Sequence, residues 1–215
     1  MLNRKTLLTL FILTLSGCAS GPTLMPTPNL YTGEKGYPYS DLKAEQKNAQ
    51  VDMLYVTDRA PNPEKDRLEY GSGRSPSIGF GSTLIDIGND MDWDRLMKVS
   101  QSESGRSHNM IVKNRIEQGR FPPTPHPFSV VNSLPVEDPE TKKVFDKTAA
   151  KFRAEINRRL ALTESKNITV YVHGFNNTFD EATANLAGIW HFMGRQGVPL
   201  TCTPSAHSGP LGVKS

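Results

Sequence analysis

The 215-residue chain contains little cysteine and no apolar run long enough to cross a bilayer. Cys18 and Cys202 are its only cysteines, too few for a disulfide framework even in an oxidising compartment. The main apolar stretch, Leu7 to Leu15, falls short of the roughly 20 residues that a transmembrane helix needs. The formal net charge is only +3, and acidic and basic residues are interspersed, which argues against a nucleic-acid partner. One globular domain of ordinary size is expected.

Residues 1–18 have the order of a secretory signal. Arg4 and Lys5 precede the apolar stretch, and small residues lead to Cys18. The segment Leu15-Ser16-Gly17-Cys18 resembles the lipobox of bacterial lipoproteins, in which the cysteine becomes the acylated N-terminus. The alternative is an ordinary signal peptide with a chance cysteine near its end. The lipobox resemblance implies a protein held on a membrane by lipid, in the bacterial cell envelope. Ala19 then favours the outer membrane facing the periplasm.

The rest of the chain divides into three parts. Residues 19–50 are rich in Pro, Gly, Thr and Asn and are predicted to form a tether. Residues 51–200 show the periodicities of an ordered domain, and residues 201–215 are predicted to be an aberrant tail. Order begins at the alternating run Val51 to Thr57, which is typical of a strand. Glycines in the next strands, around Phe80, indicate a bulge or a close backbone approach.

The second half of the domain alternates helix and strand. A helix is predicted from Pro139 to about Leu162, because apolar residues recur there at helical spacing. Ile168 to Val172 is a β-branched run of the kind that is buried on both faces of a parallel sheet. A second helix should start with Thr178 and Glu181 in capping-box positions. This order predicts an α/β fold with a mostly parallel sheet and flanking helices.

The segment Tyr171-Val172-His173-Gly174-Phe175-Asn176-Asn177 resembles the strand-to-helix loop of a bacterial α/β-hydrolase family of unknown function, within the esterase and lipase superfamily. The resemblance includes Leu54-Tyr55-Val56-Thr57-Asp58-Arg59 and the spaced motifs around Tyr70-Gly71, Arg74-Ser75 and Phe80-Gly81. It therefore covers about Val51 to Leu200. It implies the N-terminal part of an α/β-hydrolase fold and an ester-type small molecule or lipid as the substrate, with no cofactor and no metal.

The same resemblance assigns a role to this loop. In α/β-hydrolases, one backbone N–H of the oxyanion hole comes from this connection. Phe175 or Asn176 would supply that amide, while His173 and Gly174 would shape the turn. The bland alternative is that His173-Gly174 ends a strand and that Asn176, Asn177 and Thr178 cap a helix.

The chain departs from the family after Leu200. No G-x-S-x-G elbow occurs anywhere, and no later acid or histidine can be assigned. A buried strand is expected after Leu200, but Ser, Thr, Pro, Gly and His follow instead, so truncation or a frameshift is predicted. Ser107 and His108 are an adjacent pair without a third group. His126, His191 and His207 lack zinc spacing, and Trp93 and Trp190 are expected to be core or rim aromatics.

Two functions therefore remain in competition. The first is a membrane-anchored, serine-hydrolase-family lipoprotein that is inactive as it stands, because its nucleophile, acid and base are missing. The second is a non-catalytic envelope lipoprotein that uses the same half-domain for binding or structure.

Overall fold

The computed structural model describes residues 21–28, 39, 42–101, 108–174 and 176–205. A short 3₁₀ helix, Ala44–Gln46, precedes the first strand. The remaining elements, in chain order, are β1 Gln50–Pro61, β2 Tyr70–Ile87, α1 Trp93–Ser100, β3 Met110–Arg120, β4 Phe128–Val131, β5 Leu134–Glu137, α2 Pro139–Leu162, β6 Ile168–Val172, α3 Phe179–Phe192 and β7 Val198–Thr203. No helix within the described ranges is long and apolar enough to span a bilayer.

The predicted α/β fold is confirmed, and the sheet is mixed. Its five strands lie in the order β3-β2-β1-β7-β6. The pairs β1–β2 and β2–β3 are antiparallel, whereas β7 is parallel to both β1 and β6. β4 and β5 form a separate hairpin. The predicted sheet was mostly parallel; the antiparallel pairing of β1, β2 and β3 makes it mixed.

The last strand corrects the prediction for the tail. Val198–Thr203 forms β7, and Thr201 and Thr203 are fully buried between β1 and β6. The expectation that no buried strand continues past Leu200 is therefore wrong. The threonines are tolerated because β-branched side chains suit a strand, and Pro199 stands near its start. The boundary predicted at Leu200 falls inside an element.

The prediction for the strand Ile168 to Val172 is right about its bounds and wrong about its burial. Among the described strands, β6 pairs with β7 alone and so lies at an edge of the sheet. Ile168, Val170 and Val172 are 39%, 56% and 61% exposed on one face. An apolar β-branched run predicts a strand, but it does not tell a central strand from an edge strand.

The expected tether is wrong for its described residues. Leu24 is fully buried, and its N–H donates to the His108 carbonyl at 2.9 Å. Met110 N–H donates to the Pro22 carbonyl at 2.8 Å, so residues 21–24 run beside the start of β3. The apolar side chains of Leu24 and Met25 pack into the core, which outweighs the loop-like composition of the segment.

The helices confirm the predicted periodicities. α2 ends at Leu162 as predicted and begins after Asp138, whose carboxylate accepts from Thr141 N–H. Phe152, Ile156 and Leu160 on α2 pack against the cluster formed by Leu54, Val198 and Leu200. α3 is the most deeply buried helix of those described, with ten buried residues between Phe179 and Phe192.

Candidate functional site

The loop between β6 and α3 lies at the carboxyl end of the parallel strands. β6 ends at Val172, and α3 begins after Thr178. The predicted capping box is confirmed, because Thr178 Oγ1 accepts from Glu181 N–H at 3.1 Å and Glu181 Oε2 accepts from Thr178 N–H at 2.7 Å. Such a helix start aims positive potential towards the loop. In open α/β sheets, this edge is where ligands bind.

His173 bridges the ends of β6 and β7. Its Nδ1 lies 2.6 Å from the Gly174 carbonyl oxygen, and its Nε2 lies 3.2 Å from the carbonyl oxygen of Pro204. Arg59 Nη2 lies 3.4 Å from the same Nε2. With the proton on Nδ1, this nitrogen donates to Gly174 and Nε2 can accept from Arg59; with the proton on Nε2, that nitrogen donates to the Pro204 carbonyl instead. The His173 ring therefore contacts the main chain after β6 and after β7; its role in shaping the turn stays a prediction.

Arg59 supports the loop from below, and sequence reasoning gave it no role. It follows the parallel part of β1 and is only 2% exposed. Its guanidinium donates to the Asn177 carbonyl at 2.6 Å and to the Gly71 carbonyl at 3.1 Å. Burial lowers the pKa of Arg59, whereas Asp58 and Glu181 raise it, and an arginine keeps its charge under such shifts. A buried cation thus lies directly beneath the loop.

Asp58 holds the chain as it leaves β7. Its carboxylate accepts from Ser205 N–H at 2.5 Å and lies 3.2 Å from Ser205 Oγ. Arg74 Nε lies 3.4 Å from the same carboxylate. Serine, histidine and aspartate therefore meet here, but they do not form a triad. In a triad the carboxylate orients the histidine and the histidine contacts the serine, whereas here Asp58 binds Ser205 directly.

Of the four residues predicted for the oxyanion loop, the structure describes His173, Gly174 and Asn176. Apart from its chain neighbours, no described heavy atom lies within 4 Å of the position that a Cβ on Gly174 would take. The left-handed backbone of the loop is at Asn176, with φ 63°, and not at the glycine. Asn tolerates this conformation better than most residues. Phe175 and Cys18 lie outside the described residues.

A buried tyrosine pair lies beside the loop. Tyr55 Oη and Tyr70 Oη are 2.9 Å apart, and Tyr70 donates to Glu117 at 2.6 Å. Desolvation raises the pKa of Tyr55 to about 12, and it also raises the pKa of Tyr70, which hydrogen bonds to Glu117 and Tyr55 raise further. Both phenols therefore stay protonated. Tyr70 also lines a cavity of about 200 Å³ with Glu69, Arg115, Thr178, Phe179 and Asp180.

A second serine–histidine pair is structural. Ser100 Oγ lies 2.8 Å from His191 Nε2, and both residues are fully buried. Arg195 Nε donates to His191 Nδ1 at 3.1 Å, so the imidazole proton is on Nε2 and points at Ser100. Burial, and then the charge of Arg195, lower the pKa of His191. A histidine that donates to the serine cannot take its proton.

The other polar candidates do not join the site. His126 pairs with Glu137 at 2.6 Å near the β4–β5 hairpin. Ser107 and His207 fall outside the described residues, and His108 lies beside the N-terminal segment. Trp190 is buried, and Trp93 packs against the core. Within the described ranges, no three His, Cys, Asp or Glu side chains are grouped to hold a metal ion.

Comparison with known proteins agrees with the resemblance deduced from the loop motif. Residues 148–212 match the model of a family described as alpha/beta hydrolase of unknown function (DUF900). This segment is similar to that alpha/beta hydrolase family. The match includes β6, the His173 loop, α3 and β7, and it runs on beyond Leu200 to residue 212. No curated protein and no solved structure shows significant similarity to the chain.

Proposed function

We propose that this chain is a lipid-anchored member of the alpha/beta hydrolase family, of the carboxylic-ester hydrolase type. Cys18 is its acylation site, and the loop His173 to Asn176 is the oxyanion side of its ester-binding site. The buried Arg59 beneath the loop is the observation that carries the proposal. It fixes a main-chain turn at the carboxyl end of the parallel strands and adds positive charge where an oxyanion would form.

The geometry of the loop suits recognition of a polarised carbonyl. Arg59 donates to the Asn177 carbonyl and so holds the main chain at the end of the loop. Open space beside Gly174 lets a ligand approach the main chain. The start of α3 contributes its dipole in the same direction. These features favour an acyl substrate over a phosphorylated one, because no glycine-rich phosphate cradle stands here.

We also propose that these 215 residues bind an ester without turning it over. The sequence has no G-x-S-x-G elbow, and Ser205 at this end of the sheet is held by Asp58, with no hydrogen bond to a histidine among the described residues. A serine needs such a base to act as a nucleophile. The alternative function is a non-catalytic envelope lipoprotein. It shares the inert state with this proposal but has no hydrolase activity to lose.

A fluorophosphonate probe, which labels activated serines, tests the inert state. We expect no labelling of the chain and no hydrolysis of p-nitrophenyl esters, with Ser205→Ala as the matched control. Labelling that disappears in Ser205→Ala would contradict the inert state and assign the nucleophile.

Anchoring is tested separately by metabolic labelling with a radioactive fatty acid. Wild-type chain should incorporate label and Cys18→Ala should not; equal incorporation would contradict the proposed anchor.

A further inference from the structure

The N-terminal segment joins the domain very close to the proposed anchor. Only Ala19 and Ser20 separate Cys18 from Gly21, where the described structure begins. Pro22 is already hydrogen bonded to Met110, and Leu24 is fully buried. Three residues of extended chain span at most about 11 Å. An acylated Cys18 would therefore hold the membrane within about 11 Å of Gly21, with no free tether between.

Gly21 lies at the corner of the sheet farthest from the His173 loop. Along the strands, it lies near Met110, which is level with Ile87 and the start of β1. The loop follows Val172, which is level with Cys202 and with Val56 near the carboxyl end of the parallel part of β1. From Gln50 to Thr57, a strand rises about 23 Å.

The two positions are also at opposite edges. Residues 21–24 run beside β3, which is one edge strand, and His173 follows β6, which is the other. Four strand spacings separate these edges, or about 19 Å. Both displacements together put the loop about 30 Å from Gly21.

We propose that the anchor holds the domain by its β3 corner, so that the His173 loop faces away from the membrane that carries the anchor. The ligand of the loop then arrives from the aqueous phase, as a water-soluble ester, and is not a lipid of that membrane. This inference rests on the lipidation of Cys18 proposed above. It adds an orientation and a substrate class that lipidation alone does not imply, because a long tether would let the loop reach the same bilayer.

Photo-crosslinking of the acylated full chain in vesicles tests this orientation. The vesicles contain phosphatidylethanolamine and phosphatidylglycerol with a tritiated tracer lipid. Photoreactive benzoylphenylalanine is introduced as Asn109→benzoylphenylalanine, beside residues 21–24, or as Arg74→benzoylphenylalanine on β2, which pairs with Arg59 beyond the parallel part of β1 and so lies at the same end of the sheet as the loop. Both native side chains are exposed. We expect at least a fivefold excess of lipid adducts at position 109.

A spacer variant provides the matched control. A flexible 30-residue Gly/Ser insertion after Ser20 has a mean reach of about 30 Å, and it should remove the difference between the two positions. A difference that survived the insertion would overturn the role of the short connection. Adducts at position 74 equal to those at position 109, in a chain that carries the fatty acid, would overturn the orientation alone. Absence of fatty acid and of adducts at both positions would instead overturn the anchor, and the inference with it.

Discussion

Single buried cations organise this domain at two places. Arg59 holds the loop after β6, and Arg195 holds the turn that links α3 to β7 by donating to the carbonyls of Gln46 and Asn48 at 2.9 and 2.8 Å. Among the described residues neither guanidinium donates to a carboxylate, so main-chain carbonyls take the place of counter-ions. A planar fork of donors suits this task, because it satisfies several carbonyls at once.

Replacing Arg59 by lysine should loosen the His173 loop. Arg59→Lys keeps a charge but cannot reach both Asn177 O and Gly71 O, and a buried carbonyl without its donor costs about 1–3 kcal/mol. We expect the free energy of urea unfolding to fall by about 2 kcal/mol and amide exchange to quicken across residues 176–178. Arg74→Lys is the control, because its side chain is 69% exposed. Equal effects of the two substitutions would contradict the supporting role.

His191 should make the folded chain less stable in mild acid. Its pKa is lowered in the folded state by burial and by Arg195, so the unfolded chain binds the proton more readily. Stability should therefore be full above about pH 7 and should fall as the pH drops below the unfolded value of about 6.5. His191→Gln should flatten this part of the pH profile of urea unfolding. An unchanged slope between pH 7 and pH 5 in the variant would contradict the assignment.

At the scale of the elements, β2 packs closely against β3 and against Tyr55 at Gly81. A Cβ on Gly81 would stand 2.6 Å from Tyr55 Oη and closer still to the Ile116 carbonyl oxygen, where the β2–β3 register shifts. The close backbone approach predicted for these strand glycines is therefore confirmed at Gly81. Gly81→Ala should cost about 1–3 kcal/mol, because the strand and the ring cannot both stay in place.

Gly73→Ala is a matched control for this substitution. Gly73 lies on the same strand and has nothing within 4 Å of its Cβ position. We expect this variant to be neutral, or more stable by up to about 1 kcal/mol through the unfolded state. Thermal unfolding of the two variants decides the matter. A similar loss of Tm in both would mean that glycine is needed there for flexibility and not for close packing.

The elements could be predicted from the sequence better than their places in the sheet. Caps and periodicity are local, so the bounds of α2, β6 and the Thr178 capping box followed from nearby residues. Burial depends on which strand lies alongside, and this is why Ile168 to Val172 was wrongly predicted to be buried on both faces. Arg59 and its partner Asn177 are over 110 positions apart in the sequence, and no local pattern reveals a hydrogen bond of that separation.

For the whole molecule, the exposed edge of the sheet is the main liability. β6 pairs with β7 alone among the described strands, and its three most exposed side chains are apolar. Soluble proteins commonly protect such an edge with charge, proline or a covering element, because an open strand can pair with another chain. β7 supplies the buried strand that was expected to be missing after Leu200. What remains is a risk of association.

Purified chain should therefore self-associate through β6 as its concentration rises. Val170→Lys adds a charge in the middle of the exposed face, where the native side chain is 56% exposed, so it should reduce light scattering several-fold without lowering the unfolding free energy by more than about 0.5 kcal/mol. Val130→Lys is the matched control, because Val130 is 67% exposed on the β4–β5 hairpin and away from the sheet edge. If Val130→Lys suppressed association as well as Val170→Lys did, the hairpin and not the β6 edge would be the contact surface. If neither variant changed the scattering, association through either apolar surface would be ruled out.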